Sequence, residues 1–104
     1  MEMNPRQARG FLDQNPDCRL LDVREPEEHA LCSIEGNLHL PLALLAENLA
    51  KFDDKQPVIA YCHHGVRSLA AVRLLRAKGF AMASSLRGGI DLWAIEIDPT
   101  LARY

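Results

Sequence analysis

In the second half of the chain, the sequence predicts a strand, a short loop and a helix that follow one another without a break. The apolar run Pro57–Tyr61 predicts a buried strand, and the run Ser68–Lys78 predicts a helix that ends at Gly79. Cys62 lies between them, at the start of the loop. A thiol placed there meets the free N–H groups and the positive end of the helix dipole, which both favour an anion. The sequence therefore predicts a reactive cysteine thiolate.

The rest of the chain alternates short apolar runs with helical patterns. Strands are predicted at Cys18–Val23, Leu38–Pro41, Pro57–Tyr61 and Ala83–Leu86. The first helix is predicted from Pro5, with Asn4 as its N-cap, to the turn at Asn15. Further helices are predicted at Pro26–Leu31, Leu42–Phe52, Ser68–Lys78 and Ile90–Ile95. This alternation predicts an α/β fold in which a parallel sheet carries helices on both faces. The reactive site of such a sheet lies at the carboxyl ends of its strands, where both Cys62 and Asp22–Arg24 fall.

Composition and charge exclude several classes of function. The 104 residues predict one domain, 1–104, and 25% charged residues with 48% hydrophobic ones are ordinary for a globular chain. A net charge of −2 provides no basic surface for nucleic acid, and no apolar run approaches the ~20 residues that span a membrane. The first residues lack the apolar core of a signal peptide, and the three irregularly spaced cysteines predict reduced thiols. We therefore expect a cytoplasmic protein that binds neither nucleic acid nor membrane.

Four short motifs are spread along the chain in a characteristic order. They are Leu21-Asp22-Val23-Arg24-Glu25-Pro26-x-Glu28, Ile34-x-Gly36-x3-Leu40-Pro41-Leu42, Tyr61-Cys62-x2-Gly65-x-Arg67-Ser68 and Leu86-x-Gly88-Gly89-x3-Trp93. With these motifs the chain resembles a single-domain rhodanese, a sulfurtransferase of the rhodanese superfamily. The resemblance implies a three-layer α/β sandwich with four to five parallel strands. The family's first edge strand would come from Met1–Met3 and is expected to be stunted or absent, and Cys32–Asn37 departs from the family's Gly-His-Ile-Pro-Gly-Ala, which affects the expected shape of that loop.

The spacing within the cysteine loop separates two kinds of chemistry. Rhodaneses resemble cysteine phosphatases whose loop is Cys-x5-Arg, whereas only residues 63–66 separate Cys62 from Arg67 here. A phosphatase loop must wrap a tetrahedral phosphate, with its arginine bidentate to two oxygens. A loop that is one residue shorter fits a single sulfur atom on the cysteine better. The spacing therefore favours sulfur transfer, and a phosphatase is the least favoured alternative.

The resemblance implies a two-step reaction through a Cys62 persulfide. The thiolate would attack the outer sulfur of a donor such as thiosulfate, and a thiophilic acceptor (cyanide, a small thiol or a protein) would then remove that sulfur. No metal or organic cofactor is implied. A second hypothesis is a sulfur-relay module that serves a protein, because Cys62–Gly65 and the C-terminal segment Gly88–Tyr104 are similar to rhodanese domains of adenylyltransferases that activate ubiquitin-like sulfur carriers. A third hypothesis is a non-catalytic persulfide-binding module.

Each residue of the loop has an expected role. Backbone N–H groups are expected to bind the terminal sulfur and to lower the pKa of the Cys62 thiol. These groups belong to His63, His64, Gly65, Val66, Arg67 and Ser68. A cation at a helix N-terminus is unfavourable unless an anion is near, so we expect Arg67 to organise the loop or bind an anion. Gly65 is expected to serve the backbone geometry, and Ser68 to cap the helix or bond the sulfur.

His63 and His64 are candidate metal ligands beside Cys62. Adjacent side chains are expected to diverge, however, and no second spaced pair of ligands is present, so the sequence predicts no metal site. Both histidines are instead expected to line the mouth of the pocket, where they would tune the charge of the donor and the choice of acceptor.

Four residues outside the loop are expected to have supporting or structural roles. Asp22 and Arg24 end the neighbouring strand and are expected to brace the cysteine loop. The alternative for these two is an Arg24–Glu28 ion pair at a spacing of four residues, with Asp22 capping the backbone. Cys18 and Cys32 are expected to be structural. Because Cys32 stands where the family has glycine, a resolving role in which it attacks the persulfide is an alternative hypothesis.

Overall fold

A computed structural model describes residues 1–104 as five strands and five α-helices in alternation. In chain order the elements are β1 (Glu2–Met3), α1 (Pro5–Gln14), β2 (Arg19–Asp22), α2 (Pro26–Leu31), β3 (Leu38–His39), α3 (Leu42–Asn48) with a 3-10 turn at Leu49–Lys51, β4 (Val58–Tyr61), α4 (Val66–Ala77), β5 (Ala83–Leu86) and α5 (Gly89–Glu96). None of the helices combines the length and the apolar character that crossing a lipid bilayer requires.

All five strands are parallel and form one sheet in the order β1-β5-β4-β2-β3. β4 is therefore the central strand, and all four of its residues are buried. A strand that is covered on both faces needs apolar side chains on both, which explains the continuous apolar run before Cys62. Tyr61, the last residue of β4, is in register with Asp22, the last residue of β2. The segments that follow these two residues consequently lie side by side at the carboxyl edge.

Alternate residues of the strands contribute to two separate hydrophobic clusters, one on each face of the sheet. The first cluster packs α3 and α4 and comprises Leu21, Val23, Leu45, Val58, Ala60, Cys62, Ala71, Val72, Leu75, Phe80 and Ala83. The second packs α1 and α5 and comprises Ala8, Leu20, Ile34, Ile59, Tyr61, Leu86, Ile90 and Trp93. Helices therefore cover both faces, and the predicted three-layer α/β fold is confirmed.

The edge strand expected to be stunted or absent is present but has only two residues. β1 pairs with β5, where the N–H of Ser85 donates to the Met1 carbonyl at 2.7 Å and the N–H of Arg87 donates to the Met3 carbonyl at 2.8 Å. The sheet thus reaches five strands, the upper end of the predicted range.

Two helix boundaries differ from the prediction by more than one residue. α4 begins at Val66 instead of Ser68, because Gly65 has a φ of 106° that turns the chain into the helix directly after the loop. The helix predicted at Leu42–Phe52 ends as an α-helix at Asn48, whose side-chain amide donates to the Leu44 carbonyl at 2.7 Å, and it continues as a 3-10 turn. Val66 and Arg67 are therefore residues of the first helical turn.

Candidate active site

The cysteine loop connects the central strand to α4. Tyr61 ends β4, Cys62 follows it, and Gly65 is the N-cap of α4. The first N–H groups of a helix have no partner within the helix, so those in the first turn of α4 are available to a group in front of it. Cys62 and residues Asp22–Arg24 both lie at the carboxyl edge of the sheet, as the strand order predicts.

Hydrogen-bond donors surround the thiol of Cys62. The N–H groups of Gly65 and Ser68 point at Sγ from 3.1 and 3.4 Å, and the Ser68 Oγ lies 3.5 Å from it. Burial alone raises the pKa of the Cys62 thiol, because it disfavours the charged form. Hydrogen bonds from the Ser68 hydroxyl and from the N–H groups of Ser68, Gly65 and Arg67 outweigh this effect, so the pKa lies below its ordinary value. The geometry therefore favours a nucleophilic thiolate.

A buried pair of serines extends this network away from the thiol. Ser68 Oγ lies 2.7 Å from the Oγ of Ser85, and neither residue is exposed to solvent. Sequence motifs did not identify Ser85. One signal for it exists, because Ser85 is a polar residue in a predicted inner strand, and it is in register with the buried Ala60 of β4. A buried hydroxyl at such a position requires a polar partner.

The N-terminus of α5 closes the other side of the loop. The N–H of Ile90 donates to the Cys62 carbonyl at 2.9 Å, and the N–H of Asp91 donates to the His63 carbonyl at 3.2 Å. A Cβ at Gly89, which has a φ of 62°, would overlap both carbonyl oxygens, so this close approach requires glycine. α5 thereby engages the loop carbonyls, and the loop N–H groups are left for the thiol.

The side chain of Arg67 is paired with Glu28 of α2. Its two terminal nitrogens donate to the two carboxylate oxygens at 2.5 and 2.8 Å. Hydrogen bonding from Arg67, against a smaller opposing effect of burial, lowers the pKa of Glu28 to about 2. Arg67 thus ties the start of α4 to α2, a contact that agrees with the expected role in organising the loop. The anion beside it is a protein carboxylate.

Asp22 and Arg24 form a bidentate pair that is fully buried. Arg24 donates to the two Asp22 oxygens at 2.9 and 2.8 Å, and further donates to the carbonyls of Glu28 and Cys32. Burial raises the pKa of Asp22, but hydrogen bonds from Arg24 and His29 lower it to a greater extent in total. The predicted Arg24–Glu28 ion pair is wrong, because Arg24 precedes the helix and the four-residue rule applies only within one. The alternative role of Asp22 is present, since it accepts the Arg24 N–H at 3.0 Å.

The rings of His63 and His64 lie close together, with 3.8 Å between their centroids. The expectation that these side chains diverge is therefore wrong. The other face of the His63 ring stacks on Tyr104, with centroids 3.8 Å apart and an interplanar angle of 9°. His64 remains exposed, and His63 Nε2 is buried without a hydrogen-bond partner. The two histidines thus differ in environment, although they are neighbours in sequence.

Two groups of side chains place possible metal ligands within 4.8 Å of one another, namely Asp22 with His29 and His39, and His63 with His64 and Asp91. In both groups the carboxylate already has an arginine partner. Arg24 is paired with Asp22 at 2.8 Å, and Arg103 with Asp91 at 2.9 Å. A cation would have to compete with these guanidinium groups, so neither group is arranged primarily as a metal site.

Cys18 and Cys32 pack against the second hydrophobic cluster, whereas Cys62 belongs to the first. Burial raises the pKa of Cys18 to about 11, so this thiol is held in its neutral form. The sulfur of Cys32 lies 3.9 Å from a guanidinium nitrogen of Arg24. The two clusters lie on opposite faces of the sheet, and this separation gives no support to Cys32 as a resolving thiol.

Comparisons with known proteins agree with this architecture. Residues 5–96 match the family described as Rhodanese-like domain. The chain is similar to the probable adenylyltransferase/sulfurtransferase MoeZ of Mycobacterium tuberculosis, with 36% identity over 98% of this chain. It spans only 26% of the length of MoeZ, which is about a quarter of that relative.

Two further relatives are matched over most of their own length. The thiosulfate sulfurtransferase GlpE of Pseudomonas fluorescens is 33% identical over 86% of this chain and 80% of GlpE. The solved structure of the human single-domain sulfurtransferase TSTD1 superposes with a TM-score of 0.81 at 26% identity, over 91% of this chain and 96% of TSTD1. The family match covers most of the chain and includes all four sequence motifs, of which the third contains the cysteine loop. On this sequence and fold evidence, the chain belongs to the family of rhodanese-like domains.

Proposed function

We propose that the chain is a sulfurtransferase that carries a sulfane sulfur as a persulfide of Cys62. In the first step the thiolate attacks the outer sulfur of a donor such as thiosulfate. A bond forms between Sγ and that sulfur, the S–S bond of thiosulfate breaks, and sulfite leaves with the electron pair. In the second step an acceptor nucleophile attacks the outer sulfur of the persulfide, and Cys62 leaves as a thiolate.

The observation that carries this proposal is the set of donors around Sγ. The N–H groups of Gly65 and Ser68 converge on one point in front of α4, and the space between them suits a singly charged sulfur. These donors stabilise the thiolate before the first step and the persulfide anion after it. The names of GlpE and TSTD1, a thiosulfate sulfurtransferase and a sulfurtransferase, further support the assignment.

Mass spectrometry tests the persulfide directly. After incubation with thiosulfate, we expect the protein to gain the mass of one sulfur atom on the peptide that contains Cys62. The Cys62→Ser variant should gain none, and Cys18→Ser should behave as the wild type because Cys18 lies outside the loop. If thiosulfate, polysulfide and a cysteine-desulfurase donor all fail to modify Cys62, the chain is neither a sulfurtransferase nor a sulfur relay.

A second candidate function is sulfur relay to a protein acceptor. It is favoured by the pairing of Arg67 with Glu28, because the cation that would attract dianionic thiosulfate is already neutralised. The likeness to MoeZ, whose name joins an adenylyltransferase to a sulfurtransferase, extends over 98% of the chain. In this case the acceptor would be a protein, such as the activated end of a ubiquitin-like sulfur carrier.

Acceptor assays separate the two candidates. Thiocyanate formation from thiosulfate and cyanide supports the first candidate, whereas transfer from the Cys62 persulfide only to a carrier protein supports the second. If the persulfide forms but is transferred neither to cyanide nor to a carrier protein, the remaining hypothesis is a persulfide-binding module. Hydrolysis of an aryl phosphate that depends on Cys62 would overturn the argument from loop length.

A further inference from the structure

The segment after α5 folds back toward the cysteine loop. Asp98 makes the turn, because its carboxylate accepts the Thr100 N–H at 3.1 Å and its carbonyl accepts the Leu101 N–H at 3.2 Å. Leu101 then packs against the second hydrophobic cluster. Arg103 donates to both carboxylate oxygens of Asp91, at 2.9 and 3.2 Å. Residues 98–104 are therefore attached to the rest of the fold at Leu101 and at Arg103, and we refer to them as the C-terminal strap.

Tyr104, in the strap, contacts the beginning of the cysteine loop directly and its end through Glu28. Its ring stacks on His63, the residue directly after the nucleophile. Its hydroxyl donates to Glu28 Oε2 at 2.7 Å and accepts from Arg24 at 2.9 Å. Glu28 is the carboxylate that holds Arg67, at the other end of the loop. One side chain thus links the beginning of the loop to its end.

The thiol behind this arrangement is closed to solvent. Cys62 is 1% exposed, and none of the surface cavities is lined by a residue of the loop 62–68. Tyr104 is itself 40% exposed, so it lies on the outer side of the contacts with His63 and Glu28. A molecule that approaches the loop from this side meets the tyrosine before it meets the sulfur.

We infer that Tyr104 is a specificity-determining residue that limits the size of the sulfur acceptor. This inference rests on the proposed persulfide chemistry. The acceptor must bring its nucleophilic atom to the outer sulfur of the Cys62 persulfide, form a bond to it and release the Cys62 thiolate. We expect cyanide to enter after side-chain rotations alone, whereas a bulky thiol such as the tripeptide glutathione requires the tyrosine ring to leave His63.

Acceptor competition with Tyr104→Ala tests the inference. Thiosulfate is the donor, and kcat/KM is measured separately for cyanide and for reduced glutathione. We expect the ratio of glutathione to cyanide activity to rise about tenfold in Tyr104→Ala, the scale on which a pocket discriminates by size. Tyr104→Phe keeps the ring but loses both hydroxyl hydrogen bonds, so its ratio should lie between those of Tyr104→Ala and the wild type.

Two further variants make the test independent of folding defects. Arg103→Ala removes the attachment of the strap to Asp91 and should raise the ratio in the same direction, by a smaller factor. Met82→Ala is the control, because Met82 is exposed and lies at the amino end of β5, away from the loop. Circular dichroism checks that each variant is folded. If Tyr104→Ala does not fold, the acceptor ratio of Arg103→Ala tests the inference instead.

The possible results separate the inference from the proposed function. A wild-type protein that forms no Cys62 persulfide with any donor overturns the proposed function, and the inference with it. A different result overturns only the role of Tyr104. In that case the wild-type protein turns over both acceptors, and the ratio of glutathione to cyanide activity in the Tyr104 and Arg103 variants stays within twofold of the wild-type ratio.

Discussion

The hydroxyl oxygens of Ser68 and Ser85 lie 2.7 Å apart, and Ser68 Oγ lies 3.5 Å from the sulfur of Cys62. A hydroxyl has one proton to donate. If Ser85 donates to Ser68, the proton of Ser68 is free to point at the thiolate. We therefore expect Ser85, which has no hydrogen bond to the sulfur, to act on it as a positioning residue through Ser68.

Replacing Ser85 by alanine should raise the pKa of the Cys62 thiol. Without its donor, Ser68 loses the orientation that stabilises the thiolate, so the anion becomes less favourable. The pH dependence of Cys62 alkylation by iodoacetamide measures this pKa. Ser84→Ala is the matched control, because Ser84 is the neighbouring residue of β5 and faces the other side of the sheet. Equal alkylation profiles in the two variants would refute the role of Ser85.

The Arg67–Glu28 ion pair should make stability depend on pH in the acid range. The pKa of Glu28 is about 2 in the folded protein, against an ordinary value of 4.5. A lowered pKa stabilises the folded state above the unfolded pKa, and this contribution is lost as the pH falls from about 4.5 toward 2. Glu28→Gln should therefore lower the free energy of unfolding at neutral pH by about 2 kcal/mol, less than the full shift because Arg67 is 35% exposed.

Urea unfolding across this pH range checks the prediction. The difference between wild type and Glu28→Gln should shrink as the solution is acidified. Glu27→Gln, in the same turn of α2, lies on an exposed side and should change the stability little at any pH. If the free energy of unfolding of Glu28→Gln stays below that of the wild type by the same amount down to pH 2, the loss of stability comes from packing and not from charge.

Gly89→Ala should disrupt the cysteine loop. The new Cβ would overlap the carbonyl oxygens of Cys62 and His63, and the φ of 62° is itself strained for alanine. We expect the unfolding free energy to fall by about 3 kcal/mol and persulfide formation to be lost. Gly10→Ala in α1 is the control: its Cβ meets no atom within 4 Å, so the variant should be more stable by about 0.5–1 kcal/mol. Thermal unfolding measures both changes.

Asp22→Asn should destabilise the fold strongly. The Asp22 carboxylate is the counter-ion of Arg24, and neither side chain is exposed. Removing the charge from one partner leaves the guanidinium buried without compensation, which costs about 3–5 kcal/mol. Asp13→Asn breaks the exposed pair with Arg9 and should change the unfolding free energy by no more than about 0.5 kcal/mol. Chemical denaturation of the two variants provides the comparison, and similar losses would contradict the prediction.

Local features of the sequence were sufficient to predict the strands and helices and the position of Cys62 between β4 and α4. Periodicity along the chain reports which residues of a strand or helix are buried, and the alternation of strands with helices implies a parallel sheet. That is enough to place Cys62 at the carboxyl edge of the sheet, in front of a helix N-terminus. The family motifs, read in order, further implied the rhodanese fold that the structure shows.

The partners of the site residues could not be predicted in the same way. Arg67 is paired with Glu28, 39 positions earlier, and Tyr104 reaches Arg24 across 80 positions. Such contacts depend on strand order and register, which local periodicity does not encode. The Arg24–Glu28 ion pair, considered as an alternative, was wrong for a different reason: a rule for helical neighbours was applied to a residue outside the helix.

The order of the residues alone identifies a cysteine in a loop of rhodanese type. The folded chain adds the surroundings of that cysteine. These are the Ser85 hydroxyl beside Ser68, the Glu28 carboxylate paired with Arg67 and the Tyr104 ring stacked on His63. The physical reason is that the loop is built from consecutive residues, whose backbone geometry is local. Its surroundings are brought together by a sheet in which sequence-distant strands and the C-terminal strap meet at one edge.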